Sequence, residues 1–109
     1  MTRGEVWTVA GGGIYAGKPR PAVIVQGDAF DATESVTLCF FTTDGTEAPL
    51  FRVPVDPTEQ NGLAARSSLM VDKITTVPKG ELGKLLGRLG NGDRIRLDRA
   101  IIVLLGLAG

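Results

Sequence analysis

Histidine is absent from the 109 residues, and cysteine occurs once. Those absences remove the usual zinc sites, a Cys–His nucleophile pair and a Ser–His–Asp triad within one chain. A lone cysteine also excludes the disulfide-stapled scaffolds of small secreted domains. The longest apolar run, residues 100–108, is interrupted by Gly106 and falls well short of the ~20 residues of a membrane span. No apolar segment follows a basic start, so no signal peptide is expected, and the reading is a cytoplasmic protein without a membrane partner. The net charge is zero, with 12 Lys+Arg against 12 Asp+Glu, which is not the basic surface of a general nucleic-acid coat. Chemistry must come from carboxylates, hydroxyls, arginine, lysine or backbone.

What is present suffices for one domain, residues 1–109, with 43% hydrophobic and 22% charged residues. The charge is unevenly placed. Residues 28–59 hold seven acids and the single base Arg52, while the flanking segments are net basic. Cys39 lies in the apolar run Val36-Thr37-Leu38-Cys39-Phe40-Phe41 and reads as a small buried hydrophobe.

Short β-branched and aromatic runs predict strands at residues 5–9, 21–26, 35–43, 49–55 and 68–77. The second is apolar on both faces and therefore central. The fourth places Phe51 inwards, and Pro54 marks it as an edge. Asn61-Gly62 is a bend, and the fifth strand is expected to be irregular near Asp72. Residues 78–82 can start a short helical turn that Gly83, Gly87 and Gly90 keep short. A terminal helix is expected from Asn91 as N-cap, with Asp93 in its first turn. Ile95, Ile102 and Leu105 share one face of it, with Leu97, Ile101, Leu104 and Ala108 beside them. The fold class is mainly β with α: a small, strongly curved sheet or barrel closed by a helix.

Gly12-Gly13-Ile14-Tyr15-Ala16-Gly17-Lys18 has the spacing of a phosphate-binding loop, but Pro19 follows where Ser or Thr should open a helix. Gly11, Gly13 and Ala16 imitate a dinucleotide fingerprint and fail for the same reason. What remains is a glycine loop carrying Tyr15 for stacking, with Lys18 and Arg20 behind it. Arg20 lies between two prolines at the mouth of a buried strand, and its planar fork suits a phosphate or a carboxylate; a structural ion pair with a middle-segment acid is the alternative. Thr42 and Thr43 end the longest strand, where their hydroxyls can donate to a phosphate oxygen or serve merely as β-formers. Asp72 interrupts an apolar strand and needs a partner or a task, with Lys73, Arg20 and the threonines as candidates.

Together these segments resemble the MazF/PemK family of toxin endoribonucleases. The resemblance rests on Arg3-Gly4-Glu5-Val6-Trp7, Gly17-Lys18-Pro19-Arg20-Pro21-Ala22-Val23-Ile24-Val25, Phe41-Thr42-Thr43, Asn61-Gly62-Leu63, residues 68–77 and the closing helix. It implies a CcdB/MazF-like fold, an SH3-like barrel of about five to seven strands, assembled as a homodimer. It also implies a type II toxin, held inactive by a cognate antitoxin from the same operon, that cuts single-stranded RNA at short sequences. The family needs no metal or other cofactor and leaves a 2′,3′-cyclic phosphate and a 5′-hydroxyl. Carried over by position, the catalytic residues are Arg20 and Thr42, with Asp72 as the carboxylate that serves some members as base. Those members have an arginine two positions before it, where this chain has Met70, so that pair does not carry over. Tyr15, Lys18, Thr43, Phe51 and Lys73 are the expected RNA contacts. The alternatives are a same-fold, CcdB-like poison of DNA gyrase, which has no use for Arg20 and Thr42, and a degenerate member that binds without cleaving. Sedimentation at micromolar concentration is expected to show a dimer; a species of only 11.5 kDa would count against it.

Overall fold

The computed structural model describes residues 1–10, 18–48 and 50–108. Seven strands form one sheet: β1 (Glu5–Val9), β2 (Arg20–Ile24), β3 (Ser35–Thr42), β4 (Arg52–Val55), β5 (Ser67–Met70), β6 (Thr75–Pro78) and β7 (Leu82–Arg88). The helix α1 (Asn91–Leu104) closes the chain. The strand order is β4-β5-β3-β2-β1-β7, with β6 paired to β3 off that path, and every pairing is antiparallel. The expected mainly β architecture with a terminal helix is what forms, although the hydrogen-bonded order runs from β4 to β7 without closing into a ring.

Period-two alternation sorts the side chains to two sides of the sheet. Val6, Val23 and Cys39 face one another across β1, β2 and β3. They join Phe41, Leu69 and Val53, aligned across β3, β5 and β4, in one buried cluster. Ala22, Ile24 and Leu38 point the other way, into a second cluster with Val9, Val36 and Val77. β2 is central because both of its faces are covered, as its double-sided apolarity predicts. β4 is an edge strand, as Pro54 predicts.

β3 is long enough to serve three neighbours. Its residues Leu38–Phe40 pair with β2, while its other edge takes β6 along Ser35–Leu38 and β5 at Phe41 and Thr42. The single fifth strand expected from the sequence is therefore two strands, separated by a 3-10 turn at Val71–Lys73.

Residues 78–82 form no more than the short helical turn expected, a 3-10 turn at Lys79–Glu81 that leads directly into β7. Gly87, one of the glycines that suggested a helix limit, is there for close approach, and so is Gly62. A Cβ on Gly87 would sit 2.1 Å from the Gln60 carbonyl oxygen, and one on Gly62 would sit 2.2 Å from that of Leu86. Gly62 also has φ of +70°, which a side chain disfavours. The bend before it is held by Asn61, whose Oδ1 accepts from the amides of Thr58 and Leu63 at 3.0 Å while Nδ2 donates to the Asp56 carbonyl at 2.9 Å.

The helix starts where expected, but Gly90 is its N-cap rather than Asn91, and no side chain caps it. Asp93 lies in the first turn and pairs with Arg96 at 2.6 Å. Leu97 and Ala100 are buried against the first cluster, and Ile101 packs beside them. Of the wide apolar stripe it is thus the Leu97 and Ile101 side that meets the sheet, while Ile95, Ile102 and Leu105 are 51%, 42% and 62% exposed. Among the described residues no helix is long and apolar enough to cross a membrane.

Asn61→Ala removes the acceptor of two amides, that of Leu63 buried, and the donor to a carbonyl, and Gly87→Ala drives a methyl into backbone. Each is expected to cost about 2–4 kcal/mol of stability by denaturant titration. Burial, reinforced by the negative charge of Asp72, pushes the Cys39 thiol up to about 12. The folded state thus holds that proton while the unfolded chain, near the ordinary 9.0, releases it. Stability from this group is fully present below pH 9 and falls as pH rises towards 12, a slope that Cys39→Ala should reduce. Thiol reagents at pH 8 are expected to modify Cys39 only after unfolding.

Candidate functional site: an arginine and hydroxyl cleft

Thr42 is the last residue of β3, and it stands opposite Ser68 of β5, which stands opposite Pro54 of β4. On the other side the β2–β3 register pairs Ala22 with Phe40; continued outwards by two residues, it sets Arg20 across from Thr42. The guanidinium confirms the proximity, since Arg20 Nη2 donates to the Phe41 carbonyl oxygen at 3.2 Å. Side chains directly opposed on antiparallel strands share a face. Arg20, Thr42 and Ser68 therefore form a polar row across three strands.

The chain leaving β3 folds back on this row. Thr42 Oγ1 accepts from the Asp44 amide at 3.1 Å. Asp44 Oδ1 in turn accepts from the Thr46 hydroxyl at 2.9 Å and the Thr46 amide at 3.1 Å. Those bonds hold the Asp44 carboxyl below its ordinary range, the Thr46 hydroxyl contributing most. Between this loop, β4, β5 and α1 lies a cleft of about 740 Å³. Thr42, Thr43 and Ser68 form part of its wall, together with Arg52, Arg66, Arg96 and Arg99. Arg66 pairs with Asp56 at 3.1 Å, and Arg96 reaches both Asp93 and the Pro54 carbonyl oxygen. Arg99 has no recorded partner among the described residues and is exposed.

Asp72 is displaced from the sheet by a register slip. An unbroken β3–β5 register, with Phe41 against Leu69, would set Leu38 against Asp72; Leu38 faces Thr75 instead. The offset of three residues is the length of the turn at Val71–Lys73, which carries Asp72 off the ladder. Its partner is none of those expected. Asp72 pairs with Arg52, at 3.3 Å from Nε to Oδ1 and 3.5 Å from Nη2 to Oδ2. The Arg52 guanidinium also lies 5.7 Å from the centroid of Phe51, within cation–π range. Phe51 itself is partly buried against the first core cluster.

Of the residues expected from the sequence, Arg20, Thr42 and Thr43 are thus brought together, and Phe51 and Asp72 meet through Arg52. Lys18 and Lys73 are exposed and do not line the cleft. Tyr15 and its glycine loop lie outside the described residues. Sequence reasoning missed Arg52, Arg66, Ser68 and the helix pair Arg96 and Arg99. One signal was available for Arg52: it is the only base in a segment of seven acids, next to an aromatic residue. Guanidinium groups beside hydroxyl donors suit a phosphodiester, whose oxygens accept from both.

A model of the family described as PemK-like, MazF-like toxin of type II toxin-antitoxin system matches residues 2–105. A probable endoribonuclease MazF of Mycolicibacterium smegmatis is 53% identical over 109 residues, covering 100% of both chains. An endoribonuclease from a mycobacterial species, solved in complex with its cognate antitoxin, has a TM-score of 0.81 and 27% identity, over 98% of this chain and 96% of that one. A MazE–MazF structure from Deinococcus radiodurans has a TM-score of 0.78 at 16% identity, covering 97% of this chain and 95% of that one, a likeness of fold alone.

Proposed function

The chain belongs to the PemK-like, MazF-like toxins of type II toxin–antitoxin systems, and from that premise we propose that it cuts single-stranded RNA at short sequences. The observation that carries this reading is the Arg20 guanidinium bonded to the carbonyl immediately before Thr42, with Thr42 itself part of the cleft wall. In the proposed reaction the 2′-oxygen attacks its own neighbouring phosphorus. The P–O5′ bond breaks, leaving a 2′,3′-cyclic phosphate and a 5′-hydroxyl. The attack is intramolecular, so holding the nucleotide in line supplies much of the barrier reduction. Charge that gathers on the phosphorane is met by Arg20, with Thr42 donating to a non-bridging oxygen.

Two parts are open to Asp72: taking the 2′-hydroxyl proton, or holding a guanidinium in place. Its recorded contacts with Arg52 support the second. Thr43, Lys18, Lys73 and Tyr15 are proposed contacts to flanking nucleotides, and Phe51 acts from beneath Arg52. The relative that matches over its full length is named for RNA cleavage, which favours this reading over a gyrase poison. A cognate antitoxin is the expected partner, as in the mycobacterial complex. The exposed apolar end of α1 supports a homodimer. Residues 1–109 would act as one domain in the cytoplasm.

The test is incubation with a long, weakly structured RNA in EDTA, beside Arg20→Ala, with mapping of the 3′ ends. Discrete cuts ending in cyclic phosphate are expected, slowed about 100-fold or more in the variant. An Arg20→Ala protein that cleaves at the wild-type rate would refute the assignment. A folded dimer that cuts no RNA would direct attention to gyrase supercoiling.

A further inference from the structure

Resting on the ribonuclease reading, we infer that Arg52 is a phosphate-binding residue of the cleft, aimed by Asp72 and Phe51, and that Asp72 is a positioning residue acting through it. The geometry of the ion pair is the starting point. Asp72 holds one edge of the guanidinium: Nη2 donates to Oδ2 at 3.5 Å, while Nε lies 3.3 Å from Oδ1 as an ion-pair contact without hydrogen-bond geometry. That leaves Nη1 without a partner among the described residues, on a side chain that forms part of the cleft wall. A guanidinium has five N–H donors in a fixed plane, so fixing one edge fixes the direction of the other. The Phe51 ring, 5.7 Å from the guanidinium carbon, limits rotation out of that plane.

The backbone makes the arrangement rigid. Arg52 stands opposite Met70, the residue just before the turn that carries Asp72. The Val71 amide donates to the Phe51 carbonyl oxygen at 3.0 Å, tying the two segments together beside the pair. The Arg52 side chain is largely withdrawn from water at 16% exposed, whereas Asp72 is only partly so at 29%. The other groups around Asp72 do not compete for it. The neutral Cys39 thiol approaches from β3, Lys73 is its chain neighbour, and no charged side chain of α1 bonds to it among the described residues. Asp72 itself does not line the cleft, whereas Arg52 does. The group presented to a ligand is therefore the arginine.

Arg52 and Pro54 point to the same side of β4, and Pro54 ends the row that runs through Ser68 and Thr42. A strand of RNA with its scissile phosphate at Arg20 and Thr42 would meet Arg52 further along the cleft. The inferred ligand of Nη1 is a phosphate of that strand other than the one cleaved.

The test uses a short RNA spanning a mapped cut, made uncleavable by a 2′-deoxy nucleotide at that position, and measures Kd against salt. Arg52→Ala is expected to weaken binding about 10-fold and to lower the salt slope by roughly the 0.7 of one single-strand phosphate. Asp72→Asn gives the decisive sign. Removing a negative charge beside a polyanion should tighten binding if Asp72 is a bystander, whereas loss of the anchor should weaken it several-fold. The Arg52→Ala/Asp72→Asn double variant should then bind no worse than Arg52→Ala alone, and Arg52→Lys should recover part of the affinity. Thermal melts and continued Cys39 protection establish that each variant is folded. Unchanged affinity and salt slope in folded Arg52→Ala would overturn the inference. So would Asp72→Asn that binds at least as tightly as wild type while losing its turnover, the pattern of a proton acceptor. Wild-type protein that neither binds nor cuts RNA would instead remove the ribonuclease reading itself.

Discussion

The eight residues of β3 carry two different registers on one edge. A strand has one row of hydrogen-bonding groups on each side, and a neighbour that keeps register must continue along it. Here β5 and β6 use the same edge three residues out of step, and the turn between them absorbs the difference. That single constraint places Asp72 outside the ladder. It also ends β5 at Met70, opposite Arg52. The ion pair, the stack on Phe51 and one wall of the cleft all follow from it.

The same strand supplies the other half of the site. Thr42 is the last residue of β3, and Arg20 opens β2 alongside it. Beneath them the two core clusters hold β2 and β3 from opposite faces, with Phe41 and Cys39 on one side and Leu38 and Ala22 on the other. A polar row at the end of a doubly covered pair of strands stands on rigid backbone, which is what phosphate geometry demands of its donors. The charge needed to meet a phosphate comes from a chain with no net charge. The arginines of β4, the segment before β5 and α1 gather at one cleft, while acids such as Asp56, Asp72 and Asp93 sit behind them as partners. Local field, not net charge, governs what such a cleft attracts.

Much of the frame is legible in the residues. The double-sided apolar run of β2, the edge proline of β4 and the bend at Asn61-Gly62 each report a local backbone requirement. Arg20 between its prolines and the hydroxyl pair at 42 and 43 were equally visible. β7 was not. Its Gly87 read as a limit to a helix, whereas it admits the backbone of Gln60 at a distance that no Cβ permits. The helix stripe was legible as apolar, but periodicity does not tell which side of it finds the sheet.

The first four strands, the closing helix and the places of Arg20 and Thr42 at strand ends were thus legible in the sequence, since each depends on residue type and near neighbours. The partner of Asp72, the four arginines of the cleft and the exposure of Ile102 and Leu105 were decided only by tertiary structure. Those depend on which strands become neighbours and by how many residues their registers slip. Pairing Arg52 with Asp72 across twenty positions of chain is a property of the assembled sheet, to which no local pattern points.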